Sequence, residues 1–253
     1  DTLNSDDVTA VNKAQFALKH IYGNATYYRI DRLENNGEYA DVDLLTTRIS
    51  GAQKKVSATV AGSIYDAPGG SSNRLTGLRA LCNETTTTAY GGIQEADLVA
   101  EDGTKPWEGK MASSATNANL DLILTMRRLA KVNDGPKGKP DLVVTTEAIF
   151  QTFLSLLQIQ QRLTDGKETA KAGFTGVWYA GCDIFPDDYC PTSHVFALNS
   201  NHLGIAVHKD GDFVRLPWSM VPDSPDDRTM KIFLDANLIT NNRKAHQGYS
   251  SVS

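Results

Sequence analysis

Cysteine is scarce in this chain: Cys82, Cys182 and Cys190 are the only three among 253 residues. A small, odd number excludes a disulfide framework and points to a reducing compartment. Long hydrophobic runs are also missing. No stretch approaches the roughly 18 apolar residues of a membrane span, so no membrane partner is expected. Basic residues are not in excess: 25 Lys and Arg face 30 Asp and Glu, for a formal net charge of −5. No long basic block offsets that balance, which excludes condensation on phosphates as the chain's main property. What is present, 40% hydrophobic and 22% charged residues, is ordinary for a folded globular protein with one large domain or two modest ones. The sequence opens on Asp1, and DTLNSDDVTAVNKAQF has no targeting pattern. A cut precursor or an unobserved upstream part are the two expectations for that start.

Catalytic signatures are missing as well. There is no G-x-S-x-G elbow and no Cys in a protease-like context. GPKGKP lacks phosphate-loop spacing and ends in Pro where a helix should begin, so it reads as a turn that stops a helix. The one concentration of metal-ligating types is CDIFPDDYCPTSHVFALNSNHLGIAVH, residues 182–208, with two of the three cysteines and three of the five histidines. A structural zinc site needs closely spaced ligands that converge tetrahedrally, and seven residues separate Cys182 from Cys190. If NSN turns a hairpin, His194 faces Ala206 and His202 faces Leu198, so His202 stands far from both His194 and His208. Strand positions and a turn around Asp183, Asp187 and Asp188 are the expectation, with cysteines acting as small apolar residues.

Two further features bear on function. NNRKAHQGYS is the one compact basic spot, and its Arg243, Lys244 and His246 suit a phosphate or, equally, an ion pair with a neighbouring subunit. Trp107, Trp178 and Trp218 read as core or interface anchors. The acidic pairs Asp6-Asp7, Asp187-Asp188 and Asp226-Asp227 fit turns better than an acid and base pair.

Periodicity sets the fold class. From Glu38 to Asp66, Val42, Leu45, Ile49, Ala52, Val56, Val60 and Ile64 recur at steps of three and four, which predicts one long amphipathic helix of about 40 Å. Residues 67–118 carry turn formers around short apolar runs and read as loops with short strands. A second helix is expected at Asn119 to Val132, with Leu122, Met126 and Leu129 on one side. DLVVTT predicts a buried strand leading into a third helix, N-capped by Thr146 and carrying Ile149, Phe150, Phe153, Leu154, Leu157 and Leu163. From Gly173 onward the period becomes two, ending in TMKIFLDANLI with Met230, Ile232, Leu234, Ala236 and Leu238 on one face. The class is α+β, without a βαβ repeat.

Three segments, RLTGLRALCNETTTTAYGGI (74–93), KPDLVVTTEAIFQTFLSLLQIQQRL (139–163) and FLDANLITNNRKAHQGYSS (233–251), resemble in order and wording the major capsid proteins of tailed bacteriophages. The resemblance runs over roughly residues 15–250 and implies the capsid fold named after phage Hong Kong ninety-seven. It implies that residues 1–36 form the base of an extended loop, with the N-terminal arm absent. Residues 37–135 become a peripheral domain with a long spine helix, 136–225 an axial domain, and 226–253 a return to the peripheral domain.

The implied function is structural: hexamers and pentamers of an icosahedral shell around double-stranded DNA bound without sequence specificity, assembled in the host cytoplasm. Scaffold, portal and decoration proteins are the implied further partners. No catalytic, cofactor or metal residues are expected, and His194, His202 and His208 become candidates for pH-sensitive contacts only. An encapsulin-like nanocompartment is the related alternative, and a soluble α+β enzyme using the His-rich strands is the other.

Overall fold

The computed structural model describes residues 13–35, 44–66, 74–82, 89–99, 105–161, 177–222 and 224–253. In chain order the elements are β1 (Lys19–Tyr27), α1 (Arg29–Glu34), α2 (Leu44–Ser63), α3 (Leu78–Leu81), β2 (Met111–Ala112), α4 (Leu120–Leu129), β3 (Leu142–Thr145) and α5 (Glu147–Gln161). The remainder is strand: β4 (Val177–Tyr179), β5 (Cys182–Pro186), β6 (Val195–Leu198), β7 (Leu203–Val207), β8 (Val214–Arg215), β9 (Ser219–Val221), β10 (Ser224–Thr240) and β11 (Gln247–Tyr249).

Alternation along β10 organises the first sheet. Met230, Ile232, Leu234, Ala236 and Leu238 are all buried, on the one face that the period-two pattern predicts. Antiparallel β1 lies beside it, from Lys19 opposite Ala236 to Tyr27 opposite Arg228, and β7, β8 and β9 also pair with β10. The long helix α2 covers the apolar face: Ala52 and Val56 are buried against Ile21, Ala25, Ile232 and Leu234, with Ile49 and Val60 packed alongside.

The helix spans 20 residues, or about 30 Å, and Leu45 at its start is 41% exposed. The rest of its expected N-terminal extension, residues 38–43, and the Asp6-Asp7 pair lie outside the described residues.

The second sheet runs β2-β11-β6-β3-β5-β4. The helices α4 and α5 cover one face, with Leu122, Ile123, Met126, Phe150 and Phe153 against Val143, Ile184, Val195 and Ala197. Asn119 caps α4 by accepting the Leu122 N–H at 2.7 Å. The buried side of α4 is Leu122, Ile123 and Met126, whereas Leu129 is 38% exposed; the true stripe continues to Ala130, one helical step further round. The opposite face of the sheet, Val144, Phe196 and Leu198, packs on Tyr65, Leu78, Leu81 and Tyr90.

The Leu78 to Cys82 segment is a short helix where a strand was expected. Leu, Arg and Ala favour helix, and the Leu78 N–H donates to Ile64 O at 2.7 Å, tying the turn to the end of α2. The Tyr90–Ile93 turn needs its glycines, because Gly91 and Gly92 both have positive φ, 62° and 77°.

The expected hairpin around residues 199–201 does not form. Strand β6 pairs with β3 and β11 in the second sheet, while β7 pairs with β10 in the first. Residues 199–202 are therefore a crossing between sheets, and the chain crosses again at 241–246, between β10 and β11. The intervening Asn and Ser residues supply turn chemistry either way, so local pattern could not choose between a hairpin and a crossing.

Candidate assembly surfaces

The Cys- and His-containing stretch does not converge. Cys182 is buried in the α4–α5 core and its thiol donates to Pro140 O at 3.2 Å; burial pushes its pKa up. Cys190 lies under the opposite face, its pKa pushed up to about 12 by burial and then by the nearby Asp187 carboxylate. Such thiols are poor metal ligands and poor nucleophiles.

His194 is buried, bonds Thr192 O through Nδ1 at 2.8 Å and stacks on Phe196. His208 is exposed and accepts the Asp210 N–H at 3.1 Å. His202 sits at the sheet crossing. Among the described residues no group of three or more His, Cys, Asp or Glu is placed to hold a metal ion.

The acidic pairs act as braces. Asp187 accepts the Tyr65 hydroxyl at 2.6 Å and the Tyr189 N–H at 2.9 Å, which links the end of α2 to the turn after β5. The Tyr65 hydroxyl is correspondingly held well above its usual pKa, first by burial and then by that bond. Asp226 pairs with Arg29 at 2.7 Å and Asp227 accepts the Arg29 N–H at 3.2 Å, fixing α1 beside β10.

The basic spot at 243–246 is not a surface site. Arg243 is fully buried. Its guanidinium donates to Leu81 O at 2.7 Å, Ala80 O at 3.0 Å and Trp107 O at 3.4 Å, pairs with Glu95 at 3.2 Å and lies over the Tyr90 ring. Burial lowers its pKa and Glu95 opposes the shift. His246 is also fully buried. For Arg243 and His246 both the phosphate reading and the subunit ion-pair reading are therefore overturned, Lys244 between them being half-buried: the fold places the carbonyls of α3 and Glu95 over Arg243. Glu95 lies too far away in sequence for any spacing rule to associate it with Arg243.

Several large apolar side chains stay outside. At the β4–β5 edge of the second sheet, Trp178 is 71% exposed and Phe185 40%. Trp178 faces the same side as Asp183, its cross-strand partner, and Phe185 follows on that face. The outer face of the first sheet carries Tyr22, Phe233 and Val214 together, and His20 bonds Asp235 across β1 and β10.

At the far end of β10, Tyr28 just before α1, Ile30 and Leu33 of α1, and Met220 of β9 are exposed. Along α2, Ser50, Ser57, Ala58 and Ala61 with Lys54 and Tyr189 line an open groove of about 490 Å³. Exposed apolar patches of this kind mark protein–protein contact. Trp107 and Trp218, by contrast, are partly buried against the interior clusters, so of the three tryptophans only Trp178 is largely exposed.

A long helix across a sheet built on a long C-terminal strand, joined by three passages of the chain to a helix-covered second sheet, is the Hong Kong ninety-seven type capsid fold. No protein-family profile and no curated protein sequence matches the chain. Solved structures match it throughout. Against the capsid asymmetric unit of cyanophage A-1(L) the TM-score is 0.68 at 14% identity, over 92% of this chain and 77% of that one. Against the capsid of a native GTA particle it is 0.52 at 14% identity, over 93% and 73%. The holo-SrpI encapsulin complex from Synechococcus elongatus gives 0.52 at 10% identity, over 93% and 74%. Among the described residues no helix is long and apolar enough to cross a membrane.

Proposed function

We propose that this chain is the major capsid protein of a tailed bacteriophage, a virion shell subunit that associates with copies of itself into hexamers and pentamers of an icosahedral wall enclosing double-stranded DNA. The observation that carries this reading is the likeness to a cyanophage capsid subunit over 92% of the chain. Residues 136–225 are the axial part, gathered at capsomer centres, and 37–135 with 226–253 the peripheral part; sheet pairing cuts across these bounds, since β7, β8 and β9 join β10 in the first sheet and β11 joins β6 in the second. The segment from β1 to α1 is the base of the extended loop. Scaffold, portal and decoration proteins are the expected partners, assembly takes place in the host cytoplasm, and no catalytic role is assigned.

The physical logic is one of repeated modest contacts. The exposed Trp178, Phe185, Ile30, Leu33 and Met220 lie at separate edges, so one subunit can bury apolar surface against several neighbours. In a closed lattice such contacts become cooperative. A net charge of −5 suits a wall that retains DNA by enclosure. An encapsulin-like shell is the second reading, favoured by the encapsulin match over 93% of the chain.

Electron microscopy of the purified protein, followed by nuclease treatment of particles from an infected or induced host, tests both. Uniform closed shells holding nuclease-protected DNA are expected. Closed shells holding protein cargo in place of DNA overturn the phage reading in favour of the nanocompartment, and a protein that never forms capsomers or shells overturns both.

A further inference from the structure

Two of the crossings between the sheets, 199–202 and 241–246, are tied to each other by histidines. His246, fully buried just before β11, accepts the N–H of Asn199 on Nδ1 at 3.3 Å, and its Nε2 lies 3.2 Å from Thr240 Oγ1. The Thr240 hydroxyl donates to His202 O at 2.6 Å and its oxygen accepts the Asn242 N–H at 3.2 Å, so it meets His246 as an acceptor. These partners fix the ring as the neutral Nε2–H tautomer. A second proton, on Nδ1, would confront the Asn199 N–H donor to donor.

His202, at the other crossing, has Nδ1 2.7 Å from Asn241 Oδ1. Its Nε2 is buried without a hydrogen bond, 3.4 Å from the Asp134 carboxylate. With Nδ1–H donating to Asn241, that nitrogen presents a lone pair to an anion.

The charged groups around His246 come from several elements. The His202 side chain, from the first crossing, opposes a positive charge on the ring, while the His202 backbone carbonyl and Asp141, just before β3, favour one. Asp134, in the turn after α4, faces His202. Arg243, on the segment that carries His246, is turned away toward Leu81, Ala80 and Glu95. Burial is the largest influence, and together they hold the ring's pKa at about 4 against an ordinary 6.5.

We propose that His246 and His202 form a proton-operated latch across the joint between the two sheets. With His246 neutral the two segments are pinned together; a second proton on His246 breaks its bond to Asn199 and lets 199–202 and 241–246 part locally while each sheet keeps its own pairing. The latch is a property of the single chain and does not depend on the shell reading.

The sign follows from linkage. A ring whose pKa is lower in the closed state gives stabilisation that is complete above pH 6.5, declines as pH falls toward about 4, and changes no further below. Across that window the opening constant rises by about tenfold per pH unit for one proton.

Hydrogen exchange of the full chain from pH 7 to 4, corrected for the intrinsic pH dependence of exchange, reads this directly. Peptides covering 196–204 and 238–248 should lose protection by about tenfold or more between pH 6 and 4.5 while β3 and β5 stay protected. His246→Gln offers one acceptor and one donor without titrating, and should abolish the step. A wild-type chain without the step, the same step in His246→Gln, or simultaneous loss in β3 and β5 overturns the proposal. Should His246→Gln fail to fold, solid-state NMR of ring nitrogens in the wild type decides. An Nε2–H ring that stays neutral through pH 5 supports the latch, and an Nδ1–H ring or protonation near pH 6.5 overturns it.

Discussion

The guanidinium carbon of Arg243 lies 5.0 Å from the centroid of the Tyr90 ring, sealing a buried cation between the sheet crossing and the Tyr90–Ile93 turn. Five groups from three distant segments, the Leu81, Ala80 and Trp107 carbonyls, Glu95 and Tyr90, share that one side chain. Removing it strands Glu95 and the carbonyls together. Arg243→Met is expected to cost about 3–5 kcal/mol in chemical denaturation. Arg243→Lys should recover little of it, because an ammonium cannot reproduce the fork that reaches two carbonyls of α3.

Gly23 sets how closely β1 approaches α2. A Cβ there would meet Val56 Cγ2 at 2.6 Å and Ala52 O at 2.9 Å. Val56 can yield a little, but the helix carbonyl cannot without lifting α2 from the sheet. Gly23→Ala is expected to destabilise by about 1–3 kcal/mol, read as a fall in Tm. Gly51→Ala, with nothing within 4 Å of its Cβ and a helical position, should raise Tm slightly.

All three thiols are buried. Folded protein should therefore give no reaction with a thiol reagent at pH 8 and three equivalents in denaturant. Prompt reaction of any cysteine in the native state would contradict the described packing.

Trp178 is 71% exposed at a sheet edge, so its truncation removes little from the single chain. Trp178→Ala should leave Tm within about 2 °C of wild type. If it anchors contacts between copies, the concentration needed for assembly should rise by about tenfold or more, since a buried interface tryptophan carries about 2 kcal/mol or more. Light scattering against concentration checks it.

Much of the fold was legible in period and turn chemistry alone. The β10 pattern and the central stripe of α2 could be read because burial on one face leaves an alternating or 3.6-residue signature. The start of α4 and the Tyr90–Ile93 turn were placed by apolar period and by turn formers. The hairpin expectation at 199–201 failed because a turn sequence specifies a change of direction and not which strand receives the chain. The buried Arg243 and His246 were read as surface groups for a related reason: their partners Glu95 and Asn199 are distant in sequence, and only tertiary structure makes a buried cation tolerable. The apolar contact surfaces were the least legible, since Trp178 and Phe185 look like core residues until the sheet edge is known.

Mass photometry of the purified protein over a range of concentrations tests the central claim most directly. The account predicts capsomers of five or six 27.5 kDa chains that pass into closed megadalton particles as concentration rises. A single 27.5 kDa species at every concentration would contradict it.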